Sequence, residues 1–301
     1  MLESWLLDYR QNLPLDLKID YSKKRIRDWY EFWEGKVYVS FSGGKDSTVL
    51  LHLVREIYPN IKAVFVDTGL EYPEIRDFVK TIDNVIWLKP KLSFYDVIKK
   101  YGYPIISKEQ AQYIDQYRTA KSEKTKNTRW NGHEGGQGKI SEKWKYLLDA
   151  PFKISARCCD FIKKNPVKKF EKETELKPFL GVMAADSSKR KQDYIKYGCN
   201  SFESKRPISR PIGFWTDKDI WDYIKLKELK YSKIYDMGFN NTDCVFCAFG
   251  VHLEKNNKFD IMENTHPKLY NYCMNKLNMR EVLQWYIGEK SNSPEKFKDL
   301  F

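Results

Sequence analysis

The feature that most constrains the fold is a glycine turn caught between an apolar strand and an apolar helix. Lys36-Val-Tyr-Val-Ser-Phe41 reads as a strand, and Ser42-Gly43-Gly44-Lys45-Asp46-Ser47-Thr48 follows it at once. From Asp46 to Ile57 the apolar residues Val49, Leu50, Leu53, Val54 and Ile57 recur at helical spacing. The alternation then repeats. Ile61 to Val66 is a second strand, Tyr72 to Ile82 a helix, Val85 to Leu88 a strand, and Phe94 to Lys100 a helix. Later, Pro178 to Met183 reads as a strand, with helices after Asp186 and from Asp217 to Leu226. Strands alternating with helices of this length build βαβ units, so the expected fold class is α/β with a doubly wound, mostly parallel sheet. Residues 1–34 are expected to form a helical lead, 35–225 the α/β core, and 226–301 a cysteine-bearing, helical C-terminal segment. A basic, glycine-rich insertion at 118–145 interrupts the pattern, and the last fifteen residues read as polar and loosely held.

The turn has the chemistry of a phosphate site. Gly43 and Gly44 let the backbone approach a ligand closely. The following helix aims its unpaired N–H groups and positive dipole end at the turn. Lys45 adds a full charge and Ser47 a hydroxyl. The spacing is neither that of the kinase and GTPase P-loop nor that of the dinucleotide fingerprint GxGxxG. The competing interpretation is an ordinary glycine-rich βα turn capped by a serine. Asp67, at the end of the second strand, falls where open α/β sheets bind ligands, unless it is only a turn residue.

Six cysteines are present without a recognisable signal peptide, which points to a reducing, cytoplasmic setting and to metal or redox use. Cys158 and Cys159 are adjacent, and Cys244 and Cys247 form a CxxC about 85 residues later. Four thiolates suit a [4Fe-4S] cluster or a tetrahedral zinc. Adjacent side chains diverge, which favours a cluster over one zinc ion, with free thiols as the remaining option. Cys199 and Cys273 have no partner at ligand spacing and read as buried hydrophobes. The formal charge is +12. Residues 18–27, 118–145 and 153–172 together carry more than that whole surplus, so the charge forms local rims suited to a nucleotide and to a nucleic-acid acceptor. No apolar run is long enough to span a membrane.

At Ser42–Ser47 the chain resembles the PP-loop ATP pyrophosphatases, which share SGGxDS. Val66-Asp-Thr-Gly-Leu-Glu-Tyr-Pro-Glu74 resembles the DTGxxxPE segment of their phosphoadenosine-phosphosulfate (PAPS) reductase-like branch. The CC…CxxC set is similar to that of the cluster-containing members. Gly181–Arg190, Ser209–Trp221 and Ile234–Gly238 are also family-like, although Met183 stands where many members have Arg and Asp186 where they have Glu. The resemblance implies an enzyme that binds ATP, with Mg, through Ser42, Gly43, Gly44, Lys45, Asp46, Ser47, Asp67 and Arg190. Lys45, Asp46 and Asp67 would serve the chemistry, with Cys158, Cys159, Cys244 and Cys247 on an iron–sulfur cluster near the nucleotide. The expected reaction is adenylation of an acceptor with pyrophosphate release, in support of sulfur transfer from a donor or reductant protein.

Two departures separate the chain from the true reductases. It shows no ECGLH-type cysteine tail, and it keeps the full SGGKDS loop. The alternatives are a thiol-dependent PAPS or adenylyl-sulfate reductase and a non-catalytic nucleotide or nucleic-acid-binding module. The sequence leaves open the acceptor, the sulfur donor and the oligomeric state.

Overall fold

A computed structural model describes residues 3–253 and 257–287. The last fifteen residues lie almost wholly outside that range, so their reading as a loose tail is not addressed. The chain divides into two compact units. Unit 1 takes the chain up to Asp67, Tyr72–Lys89 and Pro166–Ile234; unit 2 takes Thr68–Glu71, Pro90–Asn165 and the chain from Tyr235 onward.

Unit 1 is built on a six-stranded sheet. In chain order its strands are β1 (Val37–Ser40), β2 (Ala63–Val66) and β3 (Val85–Leu88). Unit 2 supplies β4 (Ile105–Ile106), and unit 1 resumes with β5 (Lys177–Leu180), β6 (Asn200–Ser201) and β7 (Ile208–Ser209); β8 (Ala248–Phe249) belongs to unit 2. The sheet order is β3-β2-β1-β5-β7-β6, parallel except for the β6–β7 edge. β1 is central, with Val39 opposite Ala63 on one side and Phe179 on the other. Both faces of β1 are covered, which is why Val37, Tyr38 and Val39 form an unbroken apolar run with no polar alternation.

The helix Lys45–Arg55 buries Val49, Leu50, Leu51, Leu53 and Val54, so its apolar spacing is spent on packing. The expected α/β class and the helical lead are both present. The lead folds as Ser4–Gln11 and Leu15–Phe32 and buries Leu7, Ile26 and Trp29. Ser22 Oγ donates to the Pro211 carbonyl and accepts from Trp215 Nε1, each at 3.0 Å. Lys18 reaches Asp219 on the helix Asp217–Leu226 through a buried ion pair of 2.7 Å. The strand expected to run to Met183 stops at Leu180, and a short 3-10 turn follows at Ala184–Asp186.

In unit 2, β4 and β8 form a two-stranded parallel sheet. The basic stretch 118–145 contains a helix, Glu123–Asn131, none of whose residues is buried. The glycines that follow it, Gly132, Gly135, Gly136 and Gly138, all have positive φ. Among the described residues no helix is long and apolar enough to cross a membrane.

Candidate functional site

The glycine turn of unit 1 is shaped by sterics and then pinned by hydroxyls. Gly43 has φ +75°, and a Cβ there would lie 2.7 Å from Val79 Cγ2 and 2.9 Å from Ile75 Cγ2. Only glycine fits both the backbone and the wall behind it. Ser47 Oγ accepts from the Ser42 N–H at 3.1 Å and donates to the Gly44 carbonyl at 2.9 Å. Thr48 Oγ1 donates to the same carbonyl at 3.0 Å, and Ser42 Oγ accepts from the Gly44 N–H at 3.3 Å. These bonds hold the turn at the N-terminus of Lys45–Arg55, where the helix dipole is positive. Gly181, beyond β5, lies against the same first turn: a Cβ there would be 3.0 Å from Ser47 Cα. Replacing Gly43 with alanine should cost about 1–3 kcal/mol through left-handed strain and collision. Denaturant unfolding and nucleotide titration of Gly43→Ala should both shift.

Around the turn stand one lysine and several carboxylates. Lys45 is buried, with Nζ 2.8 Å from Asp217 Oδ1 and 3.5 Å from Asp46 Oδ1. Burial raises the Asp46 carboxyl above its ordinary range; Asp186 and Asp217 push the same way, and Lys45 opposes them. Asp67 extends β2 at its C-terminal end, its N–H bonded to the Leu88 carbonyl at 2.8 Å. Arg76 holds Asp67 Oδ2 at 3.0 Å, while the buried Oδ1 has no hydrogen-bond partner. Arg190, in the first turn of Ser188–Tyr197, is paired with Asp186, and Asp186 also accepts from the Met183 N–H at 2.9 Å. Met183 itself is a core residue. Unit 1 therefore contains the loop, Asp67 and Arg190, the last committed to a carboxylate.

The four candidate cysteines all lie in unit 2, and all six cysteines of the chain are unpaired thiols. Cys158 and Cys159 lead into a π-helical turn at Asp160–Lys164. The CxxC is a tight turn, with the Cys247 N–H bonded to the Cys244 carbonyl at 3.1 Å, and β8 starts immediately after it. Cys158 is close enough to feel the charge of Cys159, Cys247 and Cys244; a hydrogen bond to Cys159 and burial push its thiol up. Cys159 is drawn down to about 6, by the Cys158 hydrogen bond first and then by Lys108, Lys163 and Lys164. Burial raises Cys247 to about 11. The Lys163 ammonium faces Cys244, which holds it above its ordinary range, and Lys258 Nζ donates to the Cys244 carbonyl at 3.0 Å. Cys199 and Cys273 are buried and raised by desolvation, as expected of small hydrophobes. Among the described residues no group of three or more His, Cys, Asp or Glu side chains could hold a metal ion.

The family model of the phosphoadenosine phosphosulfate reductase domain matches residues 36–249, which span the loop, Asp67, Arg190 and all four cysteines. The chain belongs to this family. An uncharacterised protein of Methanocaldococcus jannaschii is 26% identical over 294 residues, covering 91% of this chain and 57% of that protein. The chain spans about half the length of the curated relatives it matches first, 57% and 46%. An adenosine 5'-phosphosulfate reductase of Geobacillus kaustophilus is 24% identical over 222 residues, covering 73% of this chain and 75% of the relative. Among solved structures, a phosphoadenylyl-sulfate reductase from Candida auris aligns with TM-score 0.45 and 14% identity, over 76% of this chain and 93% of that one.

Within this PAPS reductase-domain chain, three groups contact candidate residues without a sequence signal that names them: Asp217 at Lys45, Arg76 at Asp67 and Lys163 at Cys244. Asp217 falls within the family-like run Ser209–Trp221, but nothing in its spacing aims it at Lys45. Arg76 falls one helical turn after Pro73, so a carboxylate at Asp67 could have prompted a search for its cation. Lys163 belongs to the charge run around the cysteine pair, yet nothing in its spacing aims it at Cys244.

Proposed function

We propose that the chain is an ATP pyrophosphatase of the PAPS reductase-domain family. The observation that carries this reading is the buried Lys45 at a helix N-terminus, over a turn whose Gly43 admits no side chain. Gly43, Gly44 and the first N–H groups of Lys45–Arg55 would receive the phosphates. An acceptor oxygen attacks the α-phosphorus; a new P–O bond forms as the α–β bridge breaks, and pyrophosphate leaves with Lys45 offsetting its charge. Asp67, whose buried Oδ1 lacks a hydrogen-bond partner, and Asp46, whose Oδ1 lies beside Lys45, are proposed to face magnesium or the ribose. Arg190 would have to leave Asp186 to meet the distal phosphates.

Cys158, Cys159, Cys244 and Cys247 are proposed to hold a [4Fe-4S] cluster, which when bound would supply redox or sulfur-handling chemistry to the transfer step. A cubane takes one thiolate per iron, so it needs no three donors on a single ion. The mutual influence of the four thiols and the lysines beside them support that donor set. Anaerobically purified protein should carry about four iron and four sulfide per chain, and Cys244→Ser should lower both together.

For the acceptor, the proposal is a nucleic acid. The helix Glu123–Asn131 presents cations and buries nothing, and Lys145 Nζ lies 4.0 Å from the ring centroid of the exposed Trp130. Binding to a single-stranded oligonucleotide should weaken as salt rises, and more so in Lys124→Glu. Salt-insensitive or absent binding would rule the nucleic acid out.

A second reading, a thiol-dependent adenylyl-sulfate reductase, draws on the relative of that name. One pair of assays separates them. Pyrophosphate released from ATP in the presence of acceptor supports the first. Sulfite and AMP released from adenylyl sulfate, with two electrons from an added thiol, support the second. If neither nucleotide is turned over and ATP is not bound, the pyrophosphatase reading is wrong.

A further inference from the structure

Lys45 arrives at the loop already partnered, and its nearer partner comes from elsewhere in the chain. Asp217 Oδ1 is 2.8 Å from Lys45 Nζ, closer than Asp46 Oδ1 at 3.5 Å. The lysine side chain is 5% exposed, whereas that of Asp217 is 65% exposed. One member of the pair is therefore fixed and the other borders water.

Asp217 is the first residue of the helix Asp217–Leu226, yet it does not cap that helix. The cap is reciprocal between Thr216 and Asp219: Thr216 Oγ1 accepts from the Asp219 N–H at 3.4 Å, and Asp219 Oδ2 accepts from the Thr216 N–H at 2.7 Å. Asp217 can turn into solvent with that cap intact. The loop also has too many anions for its one buried cation. Asp46 and Asp217 both contact Lys45, and Asp46 is further disfavoured as a carboxylate by Asp186. A polyphosphate entering the turn meets a lysine that is already neutralised.

We propose that Asp217 is a displaceable counter-ion, which holds Lys45 in the nucleotide-free protein and is exchanged for the phosphate chain of the incoming nucleotide. This rests on the phosphate-binding reading of the loop. It makes Asp217 a positioning residue that acts through Lys45, and it makes nucleotide affinity the difference between two anions competing for one ammonium. Ligands without a phosphate chain have nothing to put in the place of Asp217, so discrimination between ATP and adenosine passes through this exchange.

The test is calorimetric titration of wild type, Asp217→Asn and Asp217→Glu with ATP, pyrophosphate and adenosine. Asparagine keeps the shape and removes the competing charge. Asp217→Asn should bind ATP and pyrophosphate about fivefold more tightly, from the upper range for a partly exposed ion pair. Adenosine affinity should not move, and Asp217→Glu should behave as wild type. A merely structural role has the opposite sign: it would weaken ATP binding and lower the thermal midpoint of the asparagine variant. Equal or weaker ATP binding by Asp217→Asn would overturn the exchange while leaving the phosphate site standing. Failure of wild type and variant alike to bind ATP or pyrophosphate would overturn both.

Discussion

Lys45→Ala should slow pyrophosphate release from ATP by about 10²–10³-fold, the usual cost of removing one preorganised group that meets developing charge. Burial makes the effect large. An ammonium that is 5% exposed acts on a phosphate through little intervening water, and its strength there exceeds that of a surface lysine. The variant also leaves Asp46 and Asp217 facing the turn with no cation between them, so the site passes from neutralised to repulsive. Lys45→Arg should recover only part of the loss, because a planar fork does not occupy the place of a compact ammonium. Steady-state release of pyrophosphate measures the effect, with the thermal midpoint as a check on folding. Unchanged release in Lys45→Ala would remove this lysine from the chemistry.

The second large effect concerns stability. Lys18→Met should destabilise unit 1 by about 3–5 kcal/mol, the penalty for stranding one partner of a buried ion pair. Lys18 is 2% exposed and spends its three protons on three oxygens: Asp219 Oδ1 at 2.8 Å, Asp219 Oδ2 at 2.7 Å and the Gln11 carbonyl at 2.7 Å. Without it, the bonds that remain to the Asp219 carboxylate among the described residues come from Thr216. Adding Asp219→Asn should recover much of the loss, since it removes the stranded charge while an amide oxygen can still serve the cap. Urea unfolding measures both. A double variant no more stable than Lys18→Met would show that packing of the lysine stem, not charge, carries the pair.

The central part of unit 1 was legible because its signals are local. β1 is a continuous apolar run, which a strand covered on both faces requires, and the glycines after it mark where the chain must turn. The helix Lys45–Arg55 shows its buried face in its own spacing. What stayed hidden depends on partners far along the chain. Nothing near Lys18 announces Asp219, and nothing near Lys45 announces Asp217. The β6–β7 edge is two residues per strand, too short to show any period. The division into two units was equally invisible, since the chain leaves unit 1 after Lys89 and re-enters it at Pro166 without a linker-like composition. The cysteine pairs stand out in the sequence by their number and spacing, and both fall in unit 2. The lysines around them do not, because a run of cations looks the same whether it faces water or a thiol.

The union of the lead with the helix Asp217–Leu226 also sets a timetable. Lys18 and Asp219 are 201 residues apart, and Ser22 waits 189 residues for Pro211. At ribosomal speeds of about 5–20 residues per second, roughly 10–40 seconds separate the emergence of one from the other. Through that interval Ile26 and Trp29, both wholly enclosed in the finished protein, lack part of their cover. A nascent chain paused before residue 211 should therefore display a sticky amphipathic helix, the form in which holding chaperones would meet it.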